Sequence, residues 1–326
     1  MTSIVKAPVL EVRNLVKHFD LRRSWFQQGT QKVRAVDGIS FDIMAGKTLA
    51  LVGESGCGKS TTAKLILKLL QLDGGEIYLN GELVSEATPE FRRKIQMVFQ
   101  DPYASLTPHF KVKSILREPL VVHDICPPQE RQNHIQDVLA AVGLSSDIAS
   151  RYPHELSGGQ RQRVGIARAI SVNPTFIVCD EPVSALDVSI RAQIINLLLD
   201  LQENRNLAYL FISHDLDLVA HVSDTVAVMY LGKIVEKAPT GDFFAGPKHP
   251  YSKALLASSL VPHPGNRKQF VPLVGEVASA ANLPSGCRFR TRCPLAIDKC
   301  AVIEPTLRSV GNGHLAACHR VDEIEP

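Results

Sequence analysis

Long apolar runs are missing from this chain. No uninterrupted apolar stretch in its 326 residues approaches the roughly 20 needed to cross a bilayer as a helix. The first residues, Met1-Thr2-Ser3-Ile4-Val5-Lys6-Ala7-Pro8, lack the apolar core of a secretory signal. Any association with a membrane is therefore expected to run through partners. Charge of one sign is also scarce: 36 Lys and Arg against 33 Asp and Glu leave a formal +3, with no long basic block. Nucleic acid is thus not the expected partner. Cysteine is thin until the end, since four of the seven fall after residue 286. In a reducing compartment such residues serve as thiols or metal ligands rather than disulfides.

What is present begins with Gly53-Glu54-Ser55-Gly56-Cys57-Gly58-Lys59-Ser60-Thr61, which reads G-x-x-x-x-G-K-S. The apolar run Thr48–Val52 before it predicts a buried strand, and Thr62–Leu70 after it has helical character, the context a phosphate-binding loop requires. Glycines let successive N–H groups turn inward onto phosphate oxygens, and the helix N-terminus adds partial positive charge. Lys59 is then expected to reach the β- and γ-phosphates of a nucleotide, and the Ser60 hydroxyl to ligate Mg²⁺. A length of 326 residues suits a large nucleotide-binding domain with a smaller appendage.

Val9–Leu15 alternates like a half-buried strand and leads through Phe19 into a polar segment containing Trp25 and Phe26, read as a hairpin loop. Phe19 either stacks on an adenine or closes a strand in the core. Val33–Ile43 reads as two short strands, and Gly74–Gly81 as a strand closed by an Asn-Gly turn. Ile95–Phe99 is a short strand ending at Gln100, broken by Asp101-Pro102. From Ser114 to Ile170 the periodicity becomes helical, which predicts a helical subdomain inserted in an α/β core. Inside it, Leu156-Ser157-Gly158-Gly159-Gln160 offers a second anion-binding turn, although a Ser-Gly-Gly turn is also an ordinary helix cap.

Phe176–Asp180 then predicts a buried strand delivering two carboxylates, Asp180 and Glu181. Charge there is costly without a task. Asp180 is placed to hold Mg²⁺, and Glu181 to orient or deprotonate an attacking water. A further strand, Tyr209–Ser213, ends at His214.

The ordered set of phosphate loop, Gln100, Leu156–Gln160, Asp180-Glu181, Ser184–Asp187 and His214 resembles the ATP-binding subunits of ABC transporters over roughly residues 9–235. The resemblance implies an α/β P-loop NTPase fold with a RecA-like core, an antiparallel β subdomain and the helical subdomain at about 101–170. It implies a head-to-tail dimer in which ATP lies between Gly53–Thr61 of one subunit and Ser157, Gly158, Gly159 and Gln160 of the other. Gln100 would sense Mg²⁺ and the membrane subunits, His214 would contact the γ-phosphate, and Asp187 would tune the dimer interface.

After Val226–Tyr230 and Ile234–Glu236, a Pro-rich stretch at Pro247–Ser252 marks a change of organisation. This divides the chain into an ATP-binding domain at 1–246 and an extension at 247–326. The extension carries Cys287, Cys293, Cys300 and Cys318, spaced C-x5-C-x6-C-x17-C. Four soft ligands suggest either zinc or an iron-sulfur centre. Arg288, Arg290 and Arg292 favour the anionic cluster, whose charge they would offset.

His249-Pro250-Tyr251, the spaced cysteines, Gln100–Leu106 and Glu181–Ser189 resemble the subgroup serving dipeptide and oligopeptide importers. That resemblance implies a 4Fe-4S cluster on Cys287, Cys293, Cys300 and Cys318. It also implies a second related ATP-binding subunit, two transmembrane permeases, a peptide-binding protein outside the membrane, and a peripheral place on the cytoplasmic face of the inner membrane. Other cargo, such as nickel chelates or glutathione-like peptides, stays open, because an ATPase subunit never touches the cargo. A soluble ABC-type ATPase acting on nucleic acid or ribosomes is the remaining alternative. Such proteins commonly fuse two ATPase units or carry a long coiled coil, and this chain has neither.

Overall fold

In chain order the computed structural model contains strands β1 (Leu10–Leu21), β2 (Gln31–Ile43) and β3 (Thr48–Val52), helix α1 (Lys59–Ile66), strands β4 (Gly74–Leu79) and β5 (Glu82–Leu83), and α2 (Pro89–Lys94). Then follow β6 (Ile95–Val98), α3 (Val112–Val122), α4 (Arg131–Ala141), α5 (Gly158–Ile170), β7 (Phe176–Asp180), α6 (Val188–Arg205) and β8 (Ala208–Ile212). The last part holds α7 (Leu216–Val222), β9 (Thr225–Tyr230), β10 (Lys233–Pro239), α8 (Thr240–Ala245), α9 (Pro250–Ser259), α10 (Asp298–Val302), β11 (Arg308–Gly311) and β12 (His314–Ala316). The structure describes residues 7–21, 31–101, 105–259 and 279–324. Trp25, Phe26 and the Pro102-Tyr103-Ala104 stretch lie outside them.

The chain forms two units. The first comprises Met1–Leu10, Ile43–Lys47 and Leu79–Phe211. Here β6 and β7 pair in parallel from Ile95↔Phe176 to Val98↔Cys179. Phe176–Cys179 and all of β8 are buried. Continuous apolar strands of this kind suit a parallel sheet covered on both faces. The predicted helical stretch resolves into α3, α4 and α5, which bury Val112, Ile115, Leu116, Leu120, Ile135, Val138, Leu139, Val164 and Ile166 on one another.

The second unit comprises Glu11–Asp42, Thr48–Tyr78 and Ile212–Pro326. Its larger sheet runs β11-β12-β10-β9-β3. β3 and β9 are parallel from Leu49↔Thr225 to Val52↔Val228, and β9–β10, β10–β12 and β11–β12 are antiparallel. A separate sheet orders β2-β1-β4. Residues 33–43, expected as two strands, lie in one, because Gly38 takes φ 77 and the strand continues through it. Pro250, in the stretch read as a change of organisation, opens α9, where its missing N–H is no loss.

The extension packs its Phe289 into the core of this unit. Phe289 meets Tyr230 edge-on at 5.3 Å and Tyr251 at 5.5 Å, while Tyr230 and Tyr251 are 4.6 Å apart. Each such pair adds about 0.5–1.5 kcal/mol beyond the burial of the rings. Beneath them Glu236 is wholly buried and accepts hydrogen bonds from the Lys248 N–H at 2.6 Å and the His249 N–H at 2.8 Å, with His314 Nε2 at 2.6 Å. Burial of His249 pulls its imidazole down to about 4, against the opposing pull of Glu236.

Candidate functional site

In the second unit β3 runs straight into the glycine loop. Gly53, Gly56 and Gly58 take φ of 152, 78 and 116. A Cβ on Gly58 would stand 2.1 Å from the Ala35 carbonyl oxygen, and one on Gly53 would stand 2.2 Å from that of Met229, so only glycine fits. Gly58 caps α1 without any side-chain bond, and no acidic residue sits in the first turn. This leaves the positive end of the helix for an anion. Lys59 is buried, with its Nζ donating to the carbonyls of Gly53 at 2.7 Å and Glu54 at 2.9 Å. Its ammonium is thus held inside the loop. Ser55 and Ser60 are exposed and Thr61 half-buried. Cys57 is buried, and burial pushes its thiol up in spite of Lys59. It fills space as a small apolar residue.

Two residues of the extension, to which sequence reasoning gives other roles, fix this loop. The Tyr251 hydroxyl accepts the Glu54 N–H at 2.9 Å, and Arg292 sends both Nη atoms to the Glu54 carboxylate at 2.9 Å each. Phe19, on β1, is exposed, with Lys17 Nζ 5.6 Å from its ring centre. It is open to stacking rather than packed in the core. His214 is exposed just before Asp215, whose carboxylate caps α7 through the N–H groups of Asp217 and Leu218.

In the first unit the strand ends behave as a carboxylate site. Gln100 Nε2 donates to Glu181 Oε2 at 2.8 Å, so Gln100, exposed as it is, is engaged with that acid. Glu181 takes φ 47, a left-handed turn costing a non-glycine residue about 1–3 kcal/mol. The Ser184 N–H and hydroxyl both donate to its carbonyl, at 3.2 and 3.1 Å. Asp180 is half-buried at the end of β7. Ser157 caps α5 in a reciprocal box: the Gln160 N–H donates to Ser157 Oγ at 3.2 Å, and the Ser157 N–H donates to Gln160 Oε1 at 3.0 Å. Gly158 and Gly159 form the first turn above it. Gln100 and Asp180 in this unit, and Ser60 in the other, are each oxygen donors of the hard kind that suits Mg²⁺.

The four late cysteines stand differently from their expectation. Cys300 is buried and Cys287, Cys293 and Cys318 are half-buried. Burial pushes Cys287 up to about 11, with Cys300, Cys293 and Cys318 adding to it as neighbouring thiols. Burial likewise raises Cys293 and Cys318, each with Cys300 adding to it. Yet among the described residues no group of three or more His, Cys, Asp or Glu is placed to hold a metal ion. This placement supports neither the 4Fe-4S cluster nor the zinc alternative expected there. The role expected of the arginines is corrected too. Arg288 binds Asp37 and Glu304, Arg292 binds Glu54, and Arg290 donates to the Ser285 carbonyl. Their charge is spent on carboxylates and a turn, so it does not argue for an anionic cluster.

A nucleotide loop at the end of a parallel strand, a strand-end carboxylate with its glutamine, and a boxed Ser-Gly-Gly-Gln turn define an ATPase of the ABC type. Comparison with known proteins agrees, and the chain belongs to the ABC transporter family. The family model described as ABC transporter matches residues 36–184, and the one described as oligopeptide/dipeptide transporter, C-terminal region, matches 235–300. The oligopeptide transport ATP-binding protein AppF of Bacillus subtilis is 47% identical, over 98% of this chain and 99% of its own length. The dipeptide transport ATP-binding protein DppF of Escherichia coli is 44% identical, over 99% and 97%. A solved ATP-binding cassette, dimeric in a post-hydrolysis state with ADP and phosphate, superposes with a TM-score of 0.62 at 26% identity, covering 71% of this chain and 98% of that one. Among the described residues no helix is long and apolar enough to cross a membrane.

Proposed function

We propose that this chain is the ATP-hydrolysing subunit of an importer for dipeptides or oligopeptides, seated peripherally on the cytoplasmic face of the membrane. Its partners are a second related ATP-binding subunit, two permeases and, through them, a peptide-binding protein. The observation that carries the reading is the Lys59 ammonium folded onto the Gly53 and Glu54 carbonyls, a cation stored where triphosphate oxygens would replace those carbonyls. The full-length similarity to oligopeptide and dipeptide transport proteins supports the choice of cargo.

On this reading Gly53–Thr61 cradles the phosphates and Phe19 stacks on the adenine. Ser60, Gln100 and Asp180 would hold Mg²⁺, which would supply charge neutralisation for the transferring phosphoryl group. Glu181, held by Gln100, orients a water and takes its proton as the water oxygen attacks the γ-phosphorus. The bond from that phosphorus to the bridging oxygen breaks, and ADP leaves with the electron pair. His214 contacts the γ-phosphate, and Ser157, Gly158, Gly159 and Gln160 close on the nucleotide of the partner subunit. Glu181→Gln in the assembled transporter is expected to bind Mg-ATP normally and turn over about 10²–10⁴ times more slowly. Turnover equal to the unaltered transporter sinks the assignment.

For the extension, Cys287, Cys293, Cys300 and Cys318, spaced C-x5-C-x6-C-x17-C, are the four soft ligands that would hold a 4Fe-4S cluster. Protein prepared without oxygen is then brown and contains iron and labile sulfide. Zinc alone, or no metal with four reactive thiols, rejects the cluster.

A further inference from the structure

Glu54 brings a negative charge into a loop whose ligand is itself a polyanion. Every polar group it carries is committed. Its carboxylate oxygens each receive one Nη of Arg292 at 2.9 Å. Its N–H donates to the Tyr251 hydroxyl at 2.9 Å, and its carbonyl accepts from Lys59 Nζ at 2.9 Å. Arg292 comes from the extension, next to Cys293 and 238 residues away in the chain. Its side chain is only 5% exposed, with its guanidinium carbon 6.0 Å from the ring centres of both Tyr230 and Phe289. Its Nε finds no partner at all. A guanidinium accepts such a setting only with a strong compensating anion, and Glu54 is that anion.

We propose that Arg292 is a positioning residue for ATP. With Tyr251 it fixes the second residue of the phosphate loop, and it cancels a carboxylate that would otherwise repel the incoming phosphates. The extension thereby sets nucleotide affinity through a two-pronged bond to the loop, without touching the nucleotide. The inference rests on reading Gly53–Thr61 as the ATP-binding loop. An uncompensated charge at short range in a partly buried site weakens binding of a like-charged ligand by about tenfold.

The test is calorimetric titration of ADP into the full chain, with folding checked by circular dichroism, together with ATPase kinetics of the assembled transporter. Arg292→Gln is expected to weaken ADP about tenfold and to raise KM for ATP by a similar factor, with kcat within about twofold. Glu54→Gln alone is measured to complete the cycle, since it leaves the buried Arg292 without its anion. The double variant Glu54→Gln/Arg292→Gln recovers most of the lost affinity, which a merely structural role of the arginine would not allow. Should Arg292→Gln fail to fold, Arg292→Lys with and without Glu54→Gln gives the same cycle, with a smaller loss of about threefold. Unchanged affinity in the Arg292 variants, or a double variant as weak as the single one, overturns the proposal. Lys59→Ala separates the two levels: if it leaves ADP affinity unchanged, the loop reading itself falls, whereas a loss there beside intact Arg292 variants removes only the positioning role.

Discussion

Two glycine-rich turns open helices in this chain, and they are stabilised in opposite ways. Gly53–Thr61 has no side-chain cap of its own, runs through three left-handed glycines, and is fixed by Tyr251 and Arg292 from far along the sequence. Leu156–Gln160 closes on itself, with Ser157 and Gln160 satisfying each other's N–H groups within three residues. The first is a product of tertiary structure, costly to form and intolerant of change. The second is local, so it exists wherever α5 exists. A loop that must surround a triphosphate needs its backbone held from behind. A loop proposed to meet the nucleotide of another subunit needs only to be presented in one shape.

The sharpest way to break that contrast is to add one methyl group to each turn. Gly58→Ala puts a Cβ 2.1 Å from the Ala35 carbonyl oxygen and 2.6 Å from Met229 Cε at φ 116. It is expected to cost about 3 kcal/mol or more and to abolish nucleotide binding. Gly158→Ala meets only Leu186 Cδ2 at 3.5 Å, and its thermal midpoint is expected to stay within the equivalent of about 0.5 kcal/mol. Equal losses in denaturation experiments would erase the distinction.

Acid sharpens it next. His249 lies beneath Tyr251 and holds the Tyr251 N–H on its Nδ1 at 3.1 Å. With a folded pKa of about 4 against an ordinary 6.5, the unfolded chain binds the proton that the folded one refuses. Stability is therefore full above about pH 6.5 and falls as pH drops from there toward 4, by on the order of 3 kcal/mol. Asp37, which burial pushes up but Arg288 and His18 together draw down to about 2, adds a further loss as pH falls from 3.8 toward 2. Urea denaturation between about pH 7 and 4 checks the histidine. His249→Gln should flatten the upper part of the profile.

Smaller effects follow for the tether and the box. Tyr251→Phe strands the Glu54 N–H and is expected to cost about 1–3 kcal/mol with weaker ADP binding. Ser157→Ala removes one cap and should cost about 1 kcal/mol while leaving ADP affinity intact. Parallel calorimetry and thermal melts would show whether only the first variant couples stability to nucleotide.

Much of this is legible from residues alone, and the reason is locality. Gly58-Lys59-Ser60, Ser157–Gln160 and the apolar run into Asp180-Glu181 each carry their structure within a few residues. Legibility ends where partners are distant. Nothing near Glu54 announces Tyr251 at a separation of 197 residues or Arg292 at 238, and nothing near Glu236 announces His314 at 78. The sequence pairs Arg288 and Arg292 with the neighbouring cysteines because it offers only sequence neighbours, whereas folding supplies Asp37 and Glu54. Residues 33–43 divide in two on paper because a left-handed Gly38 looks like a break when the strand that contains it is unseen.

Glu181 holds a left-handed backbone that asparagine or glycine would adopt at less cost. The residue assigned to the attacking water is therefore not the one its own backbone prefers. Laboratory evolution scored on heat resistance alone would drift toward Glu181→Asn or Glu181→Gly, chains that are sturdier and idle, so any breeding of this protein for robustness has to keep turnover in the selection.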